Sequence, residues 1–279
     1  MSSPNTARRA GNRRRASIWP NSPPNRTSGA ESVESLESRP LTFAAIATAL
    51  GDGWRNANAT RGVSIAYAGV FTLIGAVIIG TLIAIGRTPF IVAAAGAFML
   101  VGPAFLAGFF AVAKKVGAGG TPSVATVASG FAAASASIWV IALVCALLFM
   151  IFITDVAILY SYMVGGDPVF PRDMLPTPAN VLSFMFWGLV SGAVIALMLF
   201  SISAFAVPLL CDRRANLVGA IVTSVRIVFG NPIPAMVWAF VLSATTIGSI
   251  LLLPLFPMVL PVMAYTSYAL YRSVLPEAP

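Results

Sequence analysis

Long uninterrupted runs of apolar residues fill most of the chain from residue 62 onward. They are rich in Ala, Val, Ile and Leu and lack the strict alternation of a half-buried strand, so they predict helices. Hydrocarbon offers no hydrogen-bond partners, and a helix of roughly 20 apolar residues crosses it with its own backbone satisfied. The pattern predicts an all-α polytopic membrane protein with about six transmembrane helices, at 62–86, 88–113, 137–160, 180–210, 234–252 and 255–271.

The fourth of these runs is longer than a bilayer requires. Residues 180–210 would form a helix of about 30 residues, against the roughly 20 that cross hydrocarbon. We expect such a helix to tilt or to protrude from the membrane.

A shorter amphipathic segment follows this span, at residues 213–229. At 100° per residue its apolar and polar side chains separate into two arcs, which predicts a helix lying flat on the cytoplasmic leaflet. The apolar arc contains Leu217, Val218, Ile221, Val222, Val225, Val228 and Phe229, and the polar arc contains Arg213, Asn216, Thr223 and Arg226. A weaker helix of this kind is predicted at 121–137, so the order span, cytoplasmic helix, span occurs twice and suggests an old parallel duplication.

The first 61 residues differ from the rest of the chain. Residues 1–40 are rich in Arg, Ser, Pro and Asn, a composition that predicts a disordered cytoplasmic tail. Residues 41–61 form an interfacial helix and linker, in which the helix 41–50 ends at Gly51-Asp52-Gly53 and Trp54 anchors it at the membrane surface. Residues 62–279 then form the six-span membrane domain.

The positive charges are distributed unevenly among the predicted loops. With both termini cytoplasmic, fifteen Lys and Arg residues lie inside, and two, Arg87 and Arg172, lie outside. This asymmetry follows the positive-inside rule and predicts a multi-pass protein of the bacterial inner membrane with cytoplasmic N- and C-termini. The arginines of the tail lack the interleaved aromatic residues of a nucleic-acid-binding segment, so we expect anionic lipid headgroups as partners and no nucleic acid.

The composition narrows the possible chemistry. The chain is 58% hydrophobic and 9% charged, with a mean hydropathy of +0.89, and it contains no histidine. Haem, copper and most catalytic zinc sites use imidazole, so no cofactor or metal site is predicted. No catalytic residue is predicted either, because Walker, Rossmann, Ser-nucleophile and metalloprotease patterns are absent from the sequence. The two cysteines, Cys145 and Cys211, are predicted to be packing residues.

A few polar positions remain as functional or structural candidates. Asp155 lies inside a span, where a carboxylate is costly, and Arg87 or Arg172 could pair with it near the outer headgroups. Asp212, followed by Arg213 and Arg214, could pair with one of these arginines or cap the amphipathic helix. The other candidate is Arg226 on that helix.

Small residues and prolines predict where the spans pack or bend. Gly188 and Gly192 have the four-residue spacing of close helix packing, which occurs within a monomer more often than it specifies a dimer. Gly102-Pro103 is expected to bend the second span, and Pro208 interrupts the end of the fourth.

Two motifs carry a family resemblance, GAFMLVGP at 96–103 and FSISAFAVPLLCDR at 200–213. With Ala220, Ser224, Asn231-Pro232, Trp238, Pro261 and Tyr271-Arg272, they resemble the bacterial integral membrane proteins grouped as domain of unknown function 2189. The resemblance implies a six-span proteobacterial inner-membrane protein and no particular activity. The family carries histidine in the last span where this chain has Tyr265 and Ala269, so no histidine-dependent role is implied.

Two hypotheses of function remain open at this stage. The first is a non-enzymatic scaffold or accessory component that joins partner subunits of a membrane complex, such as a respiratory complex. The second is a transporter of small solutes or lipids, suggested by the duplication and by breaks at Pro103, Pro208 and Pro254. An enzyme is not expected.

Overall fold

The computed structural model describes residues 38–85, 90–163 and 179–276, and within these ranges its regular structure is helical. Most of the predicted tail, together with Arg87 and Arg172, lies outside the described residues. The helices are α1 (Phe43–Ala59), α2 (Arg61–Ala84), α3 (Phe90–Gly117), α4 (Val124–Ala132), α5 (Ala136–Met163), α6 (Ala179–Ser203), α7 (Ala206–Cys211), α8 (Leu217–Gly230), α9 (Pro232–Leu251) and α10 (Phe256–Val274), with a 3₁₀ turn at Leu253–Leu255.

Four helical segments within the described ranges are long and apolar enough to cross a membrane. They are Arg61–Ala84, Ala136–Met163, Ala179–Cys211 and Pro232–Ser249. Each coincides with a span predicted from the hydrophobic pattern. The prediction of an all-α polytopic membrane protein is therefore confirmed.

The last predicted span, 255–271, forms helix α10 but is not one of these four segments. Polar side chains such as Tyr265, Thr266 and Tyr268 lower its hydropathy, and all three are buried. The helix packs against α1, α2 and α3, so these polar groups face protein neighbours. We conclude that α10 is the central helix of the part of the bundle that also contains α1, α2 and α3.

The helix at the start of the described chain is longer than predicted. The expected end at Gly51-Asp52-Gly53 is wrong, because α1 continues through these residues to Ala59. A Cβ atom at Gly53 would lie 2.8 Å from the backbone nitrogen of Thr266 and 2.9 Å from the carbonyl oxygen of Val262. Gly53 therefore allows α1 to cross α10 closely and does not terminate the helix.

The long fourth span is interrupted by a turn at residues 204–205, between α6 and α7. Pro208 explains the interruption, because the ring of a helical proline clashes with the carbonyl group four residues earlier. The fully buried hydroxyl of Ser224 on α8 accepts a hydrogen bond from the Phe205 backbone N–H (3.2 Å) and donates one to the Ser201 carbonyl (2.7 Å). Ser224 thus stabilises the break from a neighbouring helix.

Helix α8 has a third face that the two predicted arcs did not include. Thr223, assigned to the water-facing arc, is buried against the protein with Gly219, Ala220, Ser224, Ile227 and Val228. The assignments of Thr223 to the polar arc and of Val228 to the lipid-facing apolar arc were wrong, because this face docks the helix onto the bundle. The outward surface carries Val218, Val222 and Phe229 beside the exposed Arg226.

Candidate functional site

Asp212 lies at the end of α7, and its carboxylate is a meeting point for side chains from other helices. Its side chain is only 4% exposed. The Lys114 ammonium lies 3.3 Å from Oδ1, and the Tyr268 hydroxyl lies 3.3 Å from Oδ1 and 3.2 Å from Oδ2. The Arg272 guanidinium is 3.9 Å from Oδ2. Such charge-assisted contacts compensate the cost of burying the carboxylate.

These contacts correct the expectation for Asp212. The carboxylate contacts a lysine on α3 and two residues of α10, and Arg213 and Arg214 are not its partners among the described contacts. The cap of α8 is provided by Asn216, whose side chain accepts a hydrogen bond of 2.7 Å from the Gly219 N–H. Asp212 therefore joins helices to one another.

Arg214 holds the end of the chain against the same region. Its guanidinium donates hydrogen bonds to the carbonyl oxygens of Leu275 (2.6 Å) and Pro276 (2.7 Å) and to the Tyr271 hydroxyl (3.2 Å). Residues before α1 also join this end, because the Arg39 backbone N–H donates to the Val274 carbonyl at 2.8 Å. The structure thus brings both ends of its described part together beside Asp212.

Arg213 differs from its neighbours in both backbone and side chain. Its φ of 54° lies in the left-handed region, which is costly for a residue with a Cβ atom. The side chain is exposed and lines a cavity of about 380 Å³ that also reaches Lys114 and Asp212.

Charged residues from separate predicted loops meet at this end of the bundle. Lys114 follows the second predicted span, Asp212 and Arg214 follow the fourth, and Arg272 follows the sixth. The topology derived from the positive charges places all of them on one side of the membrane. The distances around Asp212 agree with that placement.

Asp155, the second candidate carboxylate, has a simpler environment. It is half-buried on α5 and accepts a short hydrogen bond from the Ser191 hydroxyl on α6. Gly192, next to that serine, lies close to the ring of Phe152, whereas a Cβ at Gly188 would meet nothing within 4 Å. The α5–α6 contact therefore uses Ser191 and Gly192, and Gly188 does not contribute to it.

The remaining candidates occupy different places. Pro103 lies inside α3, where a bend stays a prediction, and a Cβ at Gly102 would meet nothing within 4 Å. Pro208 is buried in α7, and Arg226 is exposed on α8. Of the candidate polar positions, only Asp212 and Arg213 are brought together at the site.

Sequence reasoning missed the tyrosines of α10. The Tyr265 hydroxyl lies 2.5 Å from the Ser64 hydroxyl and 3.3 Å from that of Thr60, and all three residues are buried. Tyr265, Tyr268 and Arg272 recur at intervals of three and four residues. That helical periodicity was the available signal of a polar face directed at other helices.

The fold and the site together define an all-α polytopic integral membrane protein in which buried polar contacts connect the helices at one end. Within that class, residues 91–212 match the family described as "Predicted integral membrane protein (DUF2189)", which confirms the resemblance for that part of the chain. The matched segment contains Lys114, Asp155 and Asp212, whereas Tyr268 and Arg272 lie beyond it. No curated protein and no solved structure matches the chain.

Proposed function

We propose that this protein is a non-enzymatic scaffold or accessory component of a larger complex in the inner membrane. The observation that carries the proposal is that its polar side chains bind to other parts of the same protein. Asp212, Arg214, Tyr265 and Asp155 each contact groups on another helix or chain segment. Groups used in this way stabilise a bundle and are not free to bind a substrate.

The exposed apolar faces of the spans supply surfaces for partner helices. On α2 the outward side chains include Val70, Leu73 and Val77, which are 59%, 64% and 58% exposed. On α9, Phe240 is 73% exposed. Inside a bilayer such surfaces contact lipid tails or other apolar helices, and van der Waals packing selects between them.

Site-specific photocrosslinking in native membranes tests the proposal. A photoreactive residue is placed at Leu73 or Val77, one turn apart on α2, and at Leu143 or Leu147 on α5 as the matched exposed pair. We expect both positions of at least one pair to capture the same membrane protein, and that protein to co-purify in mild detergent. Lipid adducts alone, with a monomer in native mass spectrometry, would contradict the proposal.

We also propose that both termini are cytoplasmic. The support is the excess of fifteen positive residues over two and the meeting of Lys114, Asp212 and Arg272 at one end. A reporter active only in the cytoplasm, fused at residue 120 or at the C-terminus, should be active, and the same reporter at residue 172 should be silent. The opposite pattern would reverse the topology.

For α8 we propose contact with the anionic cytoplasmic leaflet. Val218, Val222 and Phe229 are directed outward next to Arg226, so the apolar side chains can enter the acyl boundary while the arginine reaches headgroups. Spin labels at Val218 and Gly230, two exposed positions about 120° apart around the helix, test the orientation. Oxygen should relax the label at 218 more strongly, and a water-soluble agent the label at 230, whereas equal access at both would rule it out.

The alternative function, transport of a small solute or lipid, is favoured by the broken helix at residues 204–205. Ser224 forms hydrogen bonds with the Phe205 N–H and the Ser201 carbonyl at that break, so these groups are not free to bind a solute, which favours the scaffold hypothesis. A single cysteine at Ser201, with Cys145 and Cys211 replaced by serine, distinguishes the two. Labelling of this cysteine by an impermeant thiol reagent from both sides of the membrane would support transport. If the cysteine is not labelled, the transport hypothesis is ruled out. A cysteine at the exposed Ser129 serves as the reactive control.

A further inference from the structure

The cavity beside Asp212 has an apolar interior and a charged opening. Ala107, Phe110 and Ile138 line it and are buried. Its volume of about 380 Å³ lies within the roughly 300–1,000 Å³ of pockets that hold small molecules. Exposed residues at its edge, among them Lys114, Ser129, Ala133 and Arg213, show that it opens to the surface.

The charges that line this cavity favour an anion. Lys114 and Arg213 contribute two positive charges, and Asp212 contributes one negative charge. That carboxylate also contacts Tyr268 and Arg272, so Lys114 is not its only positively charged partner. The Lys114 side chain is 60% exposed, and its ammonium carries more donors than the contact with Asp212 uses.

Arg213 adds an independent observation. It is the one non-glycine residue with positive φ in the described part of the chain, and its side chain lines the cavity and makes no hydrogen bond or ion pair with another described residue. A glycine at this position would adopt the same backbone without strain. An arginine is therefore held at the edge of the cavity in spite of a cost in backbone free energy.

We propose that this cavity binds one anionic phospholipid, with the phosphate between Lys114 and Arg213 and the start of an acyl chain against Ala107, Phe110 and Ile138. An apolar interior next to a net positive opening, at the level where the spans end, matches the chemistry of a lipid at the membrane boundary. The site is separate from the outward face of α8 and does not depend on whether the protein has partner subunits.

Native mass spectrometry of the full chain in detergent tests the proposal, with phosphatidylglycerol, phosphatidylcholine and inorganic phosphate titrated separately. We expect one phosphatidylglycerol to bind at least about fivefold more tightly than phosphatidylcholine, the factor expected for one basic residue at an anionic headgroup. Arg213→Gln should abolish this preference, and Arg213→Lys should retain most of it. Lys115→Gln, a neighbouring charge that does not line the cavity, should leave it unchanged.

A second pair of variants tests the cavity itself. Ala133→Leu adds bulk to the lining and should reduce phosphatidylglycerol binding, while Ala132→Leu, exposed and outside the lining, should not. Arg213→Gly should keep or raise the thermal unfolding midpoint while losing the lipid preference, which separates binding from folding. Equal binding of the two lipids by the native chain, retention of the preference in Arg213→Gln, or binding of inorganic phosphate without the lipid would each overturn the proposal.

Discussion

Asp212 and Asp155 both contact neighbouring helices, yet their surroundings differ. Asp212 has a side chain only 4% exposed and contacts from Lys114, Tyr268 and Arg272 on two other helices. Asp155 is half-buried and contacts Ser191 on the adjacent helix. A carboxylate that joins several helices stabilises the arrangement of all of them, whereas one that joins a pair stabilises only that pair.

Two close glycine contacts also differ: Gly53 lies against α10, the helix that carries Tyr268 and Arg272, and Gly192 lies next to Ser191 on α6. Around Gly53 the nearest atoms include the backbone of Thr266 and Val262 on α10, which cannot move without shifting that helix. Around Gly192 the nearest atoms belong to the ring of Phe152, at 3.1 and 3.4 Å. The contact between α1 and α10 at Gly53 therefore leaves no room for a side chain, whereas the contact between α5 and α6 at Gly192 can adjust by a movement of one side chain.

Gly53→Ala should have the largest effect on folding. The added methyl group would lie under 3 Å from the α10 backbone, and overpacking of this kind costs about 3 kcal/mol. We expect the thermal unfolding midpoint in detergent to fall by about 6 °C or more. Gly51→Ala on the same helix is the control, since nothing lies within 4 Å of that position and the midpoint should hold or rise. Equal effects at both positions would show that the crossing is not tight.

Asp212→Asn should follow in size. The substitution keeps the shape but removes the charge that faces Lys114, Tyr268 and Arg272, and hydrogen bonds to charged groups contribute about 2 kcal/mol. The unfolding midpoint should fall by about 4 °C or more. The control is Asp52→Asn, which removes an exposed pair with Arg55 and should change little. A midpoint equal to that of the native chain would mean that Asp212 does not hold the helices together.

The sequence predicts the helical class well because a membrane span requires a long apolar run. It predicts the helix at α10 but fails to show that Tyr265 and Tyr268 of this helix are buried against other helices. It fails also at Gly53, because the same residue type ends some helices and permits close crossings in others. In both cases the role of the residue depends on the neighbouring helix. The hydropathy of a single segment contains no information about that neighbour.

The candidate site was predicted in part for a similar reason. Asp212 was recognised from its position at the end of a span, but its partners Lys114 and Arg272 are distant in sequence and were assigned only to the same side of the membrane. Two arcs were assigned to α8, whereas a helix that touches both protein and lipid has three faces. Ser224, on the docking face, is identified only when the break at residues 204–205 is known.

Ser191→Ala tests the weaker region. It removes the hydroxyl that donates to Asp155, and hydrogen bonds between membrane helices contribute about 0.6 kcal/mol on average. The midpoint should fall by about 1–2 °C, less than for Asp212→Asn. Ser203→Ala, which removes a bond to the Leu199 carbonyl of the same helix, is the control and should have no larger effect. A decrease as large as that of Asp212→Asn would remove the distinction between the two carboxylates.

Gly192→Ala should have the smallest effect. A Cβ would lie 3.1 Å from the edge of the Phe152 ring, so a small rotation of that side chain can accommodate it. Replacing a mid-helix glycine by alanine also gains about 0.5–1 kcal/mol, which offsets the contact. The midpoint should therefore stay within about 2 °C of the native value.

Gly188→Ala is the matched variant, one helical turn away and with nothing within 4 Å. It should raise the midpoint slightly, so the two glycines should differ far less than Gly53 and Gly51 do. Native mass spectrometry on the same samples adds a second readout, because a glycine with open space within the chain can still contact another helix. If Gly188→Ala lowers the midpoint and dissociates an oligomer, then the four-residue glycine spacing serves contact between chains, and the adjustable α5–α6 pair lies at an interface.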